Sequence, residues 1–149
     1  MKESEFKFLG YRISKIHSEI TNNFGKEKEI FSQSIKIEDR FDKKNNRFVE
    51  VIMNIDVKTK SKSFEFSVQI RGVFQASNEM PDNTFKNLAK YNAPAILLPF
   101  ARALIASCTA QANIPAVVLP TINLSSISSD KIGKDTTKKS HQTIKRLKK

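Results

Sequence analysis

Between Phe6 and Gln75 apolar residues fall mostly on alternate positions, the pattern of strands with one buried face. Four strands are predicted. The clearest runs from Arg47 to Lys58, where Val49, Val51, Met53, Ile55 and Val57 alternate without a miss. The run from Ser63 to Gln75 sets Phe64, Phe66, Val68, Ile70 and Phe74 against Glu65, Ser67, Gln69 and Arg71. The run from Glu29 to Glu38 puts Phe31, Ile35 and Ile37 on one face. In the run from Phe6 to Ile20, Leu9, Tyr11 and Ile13 share one parity while Ile16 and Ile20 take the other. A phase change of that kind predicts a bulge or two shorter strands. Asp42 to Asn46 and Thr59 to Lys62 are polar links of hairpin length, and Asn22, Asn23 and Gly25 mark a turn. The simplest arrangement is a four-stranded antiparallel sheet with one mainly apolar face. Ile30, Phe48, Ile52 and Val73 lie on the opposite parity. They are either ordinary exposed apolar surface or a contact surface, and alternation alone leaves both open.

After Gln75 the period changes. Residues 78–83 read as a loop, with Asp82 placed to cap a short helix through Ala89. A second helix follows from Tyr91, with Asn92 as N-cap and Pro94 in the first turn, where a missing N–H is harmless. Leu97, Phe100, Ala101, Leu104, Ile105 and Cys108 recur at helical spacing, and Pro99 predicts a kink or an irregular first turn. Ala101, Ala103, Ala106, Ser107, Ala110 and Ala112 are small. Such a helix admits another helix on one side and the sheet on the other, which suits a subunit interface carried by Leu97, Ala101, Leu104, Ile105 and Cys108. Arg102 is the only charge between Tyr91 and Ser125. If buried, its guanidinium needs a carboxylate or several carbonyls, so it reads as a structural anchor or as a contact to a bound partner. From Ile114 to Ile127 the chain is uncharged and holds Pro115 and Pro120, which predicts an extended segment. Its own domain, a sister subunit or a bound peptide must cover it.

The chain has 149 residues, enough for one domain. Lys and Arg number 26 against 15 Asp and Glu, a net charge of +11. The excess is concentrated at the end: from Asp130 to Lys149 basic residues outnumber acidic ones eight to two. Residues 1–127 therefore read as the folded domain and 128–149 as a basic, disordered tail. That tail either solubilises the protein or contacts nucleic acid through counterion release. Cys108 is the single cysteine, and His17 and His141 lie far apart, which argues against a disulfide framework, a Cys or His metal centre and a His-based triad. The four glycines are isolated, so no phosphate-cradling loop is present. No two carboxylates are placed to share a pocket. A protein that is not an enzyme and uses no cofactor or metal is expected. The start shows no secretory-type apolar run, and Ala93 to Ala106, with two prolines and Arg102, is too short to cross a bilayer. A soluble, cytoplasmic protein without membrane insertion is the corresponding expectation.

One segment carries a more specific signal. Pro99-Phe100-Ala101-Arg102 on the helix is followed by Ile114-Pro115, Leu119-Pro120 and Ile122-Asn123-Leu124. This spacing resembles the C-terminal half of the SecB family of protein-export chaperones, and Val73 to Gln75 resembles the family's Gly-aliphatic-Phe element closing the fourth strand. The resemblance implies an α+β fold, a four-stranded antiparallel sheet with a long C-terminal helix packed on it. It also implies a homotetramer built as a dimer of dimers. The implied function is that of an ATP-independent holdase, which binds unfolded polypeptides in apolar grooves and delivers them to SecA. Phe74, Tyr91, Ile122 and Leu124, with Val73 and Phe100, lie where sheet end, helix start and extended run should converge. They are the candidate client-binding residues, although the pattern fits a core role for each equally well. Typical members are acidic, with acidic SecA contacts on the sheet, and carry a second amphipathic helix; this chain is basic and polar from Ser125 onward. Some members instead hold an antitoxin of a toxin–antitoxin module until it folds, which needs the same groove and no SecA. A basic oligomeric scaffold for nucleic acid is the reading from a different class.

Overall fold

The computed structural model describes residues 5–26 and 28–112. The four strands form where the alternation places them: β1 Phe6–Ile20, β2 Phe31–Phe41, β3 Phe48–Thr59 and β4 Phe64–Ala76. They make one antiparallel sheet in the order β1-β4-β3-β2. The two hairpins join β2 to β3 and β3 to β4. The turn after β1 is instead part of a crossover that carries the chain from one edge of the sheet to the other. Glu29 fixes this crossover. Its buried carboxylate accepts hydrogen bonds from Ser61 Oγ (2.9 Å), Ser63 Oγ (3.0 Å) and the Gly25 N–H (3.3 Å). Three donors offset the desolvation of a buried carboxylate. Phe24 then packs its ring against Phe31 and Phe64 and closes that end of the core.

The phase change in β1 is two bulges. Register slips between Phe8 and Gly10 and again between Ile13 and Lys15. Each slip absorbs one extra residue, and the result is that Phe8, Tyr11, Ile13, Ile16 and Ile20 all pair with β4 residues that face the helix: Phe74, Gly72, Ile70, Val68 and Phe64. Parity along the sequence breaks so that the face is kept. Gly10 sits at φ +144°, in the region that favours glycine, beside the first bulge.

The helical layer differs from the expectation at its junction. α1 spans Asp82–Asn87 and α2 spans Ala93–Gln111, and a single π-helical turn, Leu88–Asn92, joins them without a break. Asn92 is therefore not a cap: it has helical dihedrals and no side-chain capping bond. Asp82 is in the first turn of α1, where its charge complements the helix dipole, while extended Pro81 holds the cap position. The Ala93 N–H bonds to the Leu88 carbonyl, five residues back, immediately before Pro94, which has no N–H to continue the ordinary ladder. The widened turn thus sits where a proline would otherwise break the helix.

By length and composition the continuous run Asp82–Gln111 is apolar enough to cross a membrane, which Ala93 to Ala106 alone was not. Its buried side is taken by the chain's own sheet, as in the core helix of a soluble protein. Leu97, Ala101 and Ile105 are fully buried there with Val51, Met53, Ile55, Ile70 and Phe74.

Arg47, at the start of β3, ties the two layers together. Its guanidinium donates to the carbonyls of Met80 (2.8 Å) and Ser77 (3.3 Å), pairs with Asp82, and lies 5.8 Å from the centre of the Phe85 ring. The side chain is largely buried while Asp82 is exposed, so the carbonyls and the ring carry most of the effect. Arg47→Ala is expected to lower stability by about 2–3 kcal/mol in urea unfolding at fixed protein concentration, with Arg47→Lys recovering only part. A loss below about 0.5 kcal/mol is what a solvated surface arginine would give.

Candidate functional site

A chain of aromatic rings runs through the core and emerges on one side. Phe41 meets Phe85 at 5.2 Å, Phe85 meets Phe6 at 6.1 Å, and Phe6 stacks on Phe74 at 5.3 Å. Phe74 stacks on Phe8 at 5.1 Å, Phe8 lies 6.4 Å from Tyr11, and Tyr11 stacks on Phe100 at 4.3 Å. Phe74 in the middle of this path is fully buried, whereas Tyr11 is 46% and Phe100 37% exposed at its end. Beyond Tyr11 on the same face of the sheet, Ile16 is 51% exposed. Large rings held rigidly from beneath and open above make an adaptable apolar contact surface with little side-chain entropy left to lose.

β1 positions Tyr11 and α2 positions Phe100. Because β1 is an edge strand, α2, which packs over β3 and β4, leaves β1's inward side chains only partly covered. On the opposite face of the sheet, Leu9, Gly10, Tyr11, Arg12, Ser14, Glu50, Gln69, Arg71 and Val73 line a shallow recess of about 700 Å³. Tyr11, at the strand edge, belongs to both surfaces. Within the recess Arg71 pairs with Glu50 at 2.9 Å, and Ser14 Oγ donates to Gln69 Oε1 at 2.7 Å. Elsewhere on this face Glu38 hydrogen-bonds Arg40 and raises the guanidinium pKa further.

The candidate residues do not converge as one set. Phe74 is a core residue, sealed between Phe6 and Phe8, so it cannot touch a bound chain in this conformation. Val73 is exposed but, one position along β4, points to the other face of the sheet from Phe100. Tyr91 is exposed on the π-helical turn with the Lys90 ammonium 5.2 Å from its ring centre. Ile122 and Leu124 lie outside the described residues, as does the boundary at 127 with its tail. Of the residues assigned to a subunit contact, Leu97, Ala101 and Ile105 are fully occupied by the chain's own sheet, and Leu104 and Cys108 are half-buried on its flank. The face turned outward is Asn92, Ala95, Pro99, Ala103, Ser107 and Ala110. Arg102 is half-buried and makes no hydrogen bond or ion pair among the described residues.

Phe8, Leu9 and Tyr11 were not singled out from sequence as site residues. Their signal is the bulge itself, which brings exposed apolar residues to both faces of an edge strand. One further cluster stands apart: His17, Glu19 and Glu65 bring ligand-type atoms within 4.8 Å at the far end of β1 and β4. It is exposed, His17 lies 3.7 Å from Glu19, and Glu65 pairs with Lys58 at 3.5 Å, so it reads as a surface ion-pair cluster.

Comparison with known proteins agrees with the fold. The family model for the preprotein translocase subunit SecB matches residues 18–134. An uncharacterized protein of Methanocaldococcus jannaschii is 33% identical over 129 residues, covering 83% of each chain. The protein-export protein SecB of Rickettsia bellii is 32% identical over 88 residues, which is 57% of this chain and 57% of that protein. Among solved structures, the Mycobacterium tuberculosis Rv1957 SecB-like chaperone, in complex with a ChAD peptide from the Rv1956 HigA1 antitoxin, superposes with a TM-score of 0.66 at 10% identity. It covers 79% of this chain and 88% of its own.

Proposed function

The chain belongs to the SecB family, whose members are chaperones rather than enzymes, and on that premise we propose that it is a cytoplasmic, ATP-independent holdase for unfolded polypeptides. The observation that carries this reading is the Tyr11–Phe100 stack, packed on Phe8 from below and about two-fifths exposed above. A holdase acts by mass action: it binds the unfolded chain and not the native one, and so lowers the free concentration available for aggregation. Loose specificity follows from apolar side chains meeting rings, with backbone bonds to an extended segment.

The assembly is a homotetramer, a dimer of dimers, in this proposal. Its support is the outward face of α2, where Ala95, Pro99, Ala103 and Ala110 carry no charge and permit close helix approach. Leu97, Ala101 and Ile105 support that interface from beneath rather than touching the partner.

Delivery to SecA has less support than client dedication. The open face of the sheet interleaves both signs, with Arg71 on Glu50, Arg40 on Glu38 and Lys58 on Glu65, in place of an acidic patch. A chaperone dedicated to one client, such as an antitoxin, needs no such patch. An antitoxin gene beside this one, and protection of its product, favours dedication; binding to purified SecA favours export.

The test is aggregation of a chemically denatured protein diluted into buffer without nucleotide. Suppression is expected near one assembled particle per client. A stoichiometric excess that leaves the light-scattering trace unchanged removes the holdase reading. Salt-sensitive nucleic-acid binding that disappears on deletion of 128–149 would instead support the scaffold alternative.

A further inference from the structure

The two bulges of β1 leave the helix-facing side chains in place and alter only the other face of the sheet. Leu9 is the extra residue before Gly10, which stands opposite Val73, and Ser14 is the extra one before Lys15, opposite Gln69. Both extra residues line the recess on that face. Bulges that re-aim side chains recur beside functional sites. Here they build two unlike ends. Leu9, 51% exposed, and Val73, 37% exposed, make one end apolar.

The other end is charged. Arg12 stands directly opposite Arg71 on the same face, a relation in which like charges repel. Arg71 is fixed: its Nε donates to Ser14 Oγ (3.3 Å) and Gln69 Oε1 (3.2 Å), and its Nη1 to Glu50 (2.9 Å). Glu50 is the one acid lining the recess, so Arg71 occupies the only carboxylate there. The Arg12 guanidinium is exposed and makes no hydrogen bond or ion pair among the described residues. Other acids on this face have neighbours of their own: Glu38 has Arg40, Glu65 has Lys58, Glu19 has His17, and Asp56 accepts from Ser67 Oγ. What the recess lacks is a second carboxylate.

Val73 and Arg71 are two positions apart on β4, roughly 7 Å along the strand. Side chains i and i+2 of any extended chain share a side at that same spacing. We propose that the recess is a docking site for an extended segment of a partner protein in which a large apolar residue lies two positions from an Asp or Glu. The apolar side chain rests on Leu9 and Val73, and the carboxylate meets Arg12. The site is on the face turned away from Phe100, so it is separate from the client rings and does not depend on the holdase reading.

The experiment uses the full chain and three labelled peptides in a Ser/Gly background. The first has Leu and Glu two positions apart, the second has Gln in place of Glu, and the third has the same Leu and Glu adjacent. Fluorescence anisotropy is expected to show the first bound about fivefold more tightly than either of the others at low salt. The gap should narrow as the Debye length falls from about 30 Å at 0.01 M to about 8 Å at 0.15 M. Arg12→Glu should abolish it, Arg12→Lys should keep most of it, and the exposed pair Leu9→Ser/Val73→Ser should weaken the first peptide. Phe100→Ala should leave the gap as it is.

Equal binding of the three peptides, or a gap that survives Arg12→Glu, overturns the proposal. A gap that Phe100→Ala removes overturns it as well, because the peptides then sit on the rings. If Arg12→Glu changes the oligomeric state by light scattering, the recess is a contact between copies of this chain and the proposal falls. Suppression of aggregation is measured separately, so the docking site and the holdase reading can fail independently.

Discussion

Leu97→Ala is expected to lower stability by about 3 kcal/mol, and Gly72→Val by about 1–3 kcal/mol, yet the two together should cost less than their sum by about 1 kcal/mol. The reason is a single contact. A Cβ built on Gly72 would lie 2.6 and 3.1 Å from the two Leu97 methyls and 3.0 Å from the Phe74 ring. α2 approaches the sheet there because β4 has no side chain at that position, and Leu97 fills the gap at 0% exposure. Removing the leucine leaves a cavity over a glycine that cannot fill it. Adding a valine pushes on methyls that have little room to move. When both changes are made, each relieves the other. Urea unfolding at fixed protomer concentration, with unchanged m-values, reads the coupling. Strict additivity is the result incompatible with α2 being seated on Gly72.

Phe100→Ala and Tyr11→Ala should each weaken client binding by about tenfold while changing stability by less than about 1 kcal/mol. Both rings are substantially exposed, so their truncation opens no enclosed cavity. Phe74→Ala should do the reverse. That ring is stacked between Phe6 and Phe8 with no exposed surface, and its loss should cost about 3–5 kcal/mol. Peptide affinity measured on the fraction still folded should change little. The contrast separates a binding ring from a core ring within one aromatic chain. If Phe100→Ala binds as well as the native protein, the Tyr11–Phe100 surface is not where clients sit.

Much of this architecture is legible in the sequence because a strand declares its face by alternation. β3 and β4 alternate cleanly and lie where expected. β1 breaks alternation, and that break is as informative as the rule, since it marks bulges in the structure. Exposure is less legible. Parity placed Phe74 on the apolar face but says nothing about whether Phe6 and Phe8, from a strand more than sixty residues away, will cover it. Helical spacing likewise grouped Leu97, Ala101 and Ile105 correctly, yet cannot tell a face turned to the chain's own sheet from one turned to a neighbour. Only the position of Gly72 beneath Leu97 decides that. Asn92 looked like a cap because Pro94 follows it. The chain instead keeps the helix intact by widening one turn, on which Ala89, like Phe85 just before it, is buried. The site was half visible: Phe100 stood out through its proline-flanked motif, while its partner Tyr11 lies nearly ninety residues upstream.

The two slips in β1 have a consequence for how this chain can vary in length. Leu9 and Ser14 are the supernumerary residues at those slips; every other position in the strand is matched one to one with β4. Excising a single codon at either place would restore a plain ladder and leave Phe8, Tyr11, Ile13 and Ile16 turned as they are now. Excising Arg12 instead would turn either Tyr11 or Ile13 to the other face of the sheet, according to which of the two slips closes. Natural length polymorphism in this strand should therefore concentrate at those two sites, eight and thirteen residues beyond the first methionine.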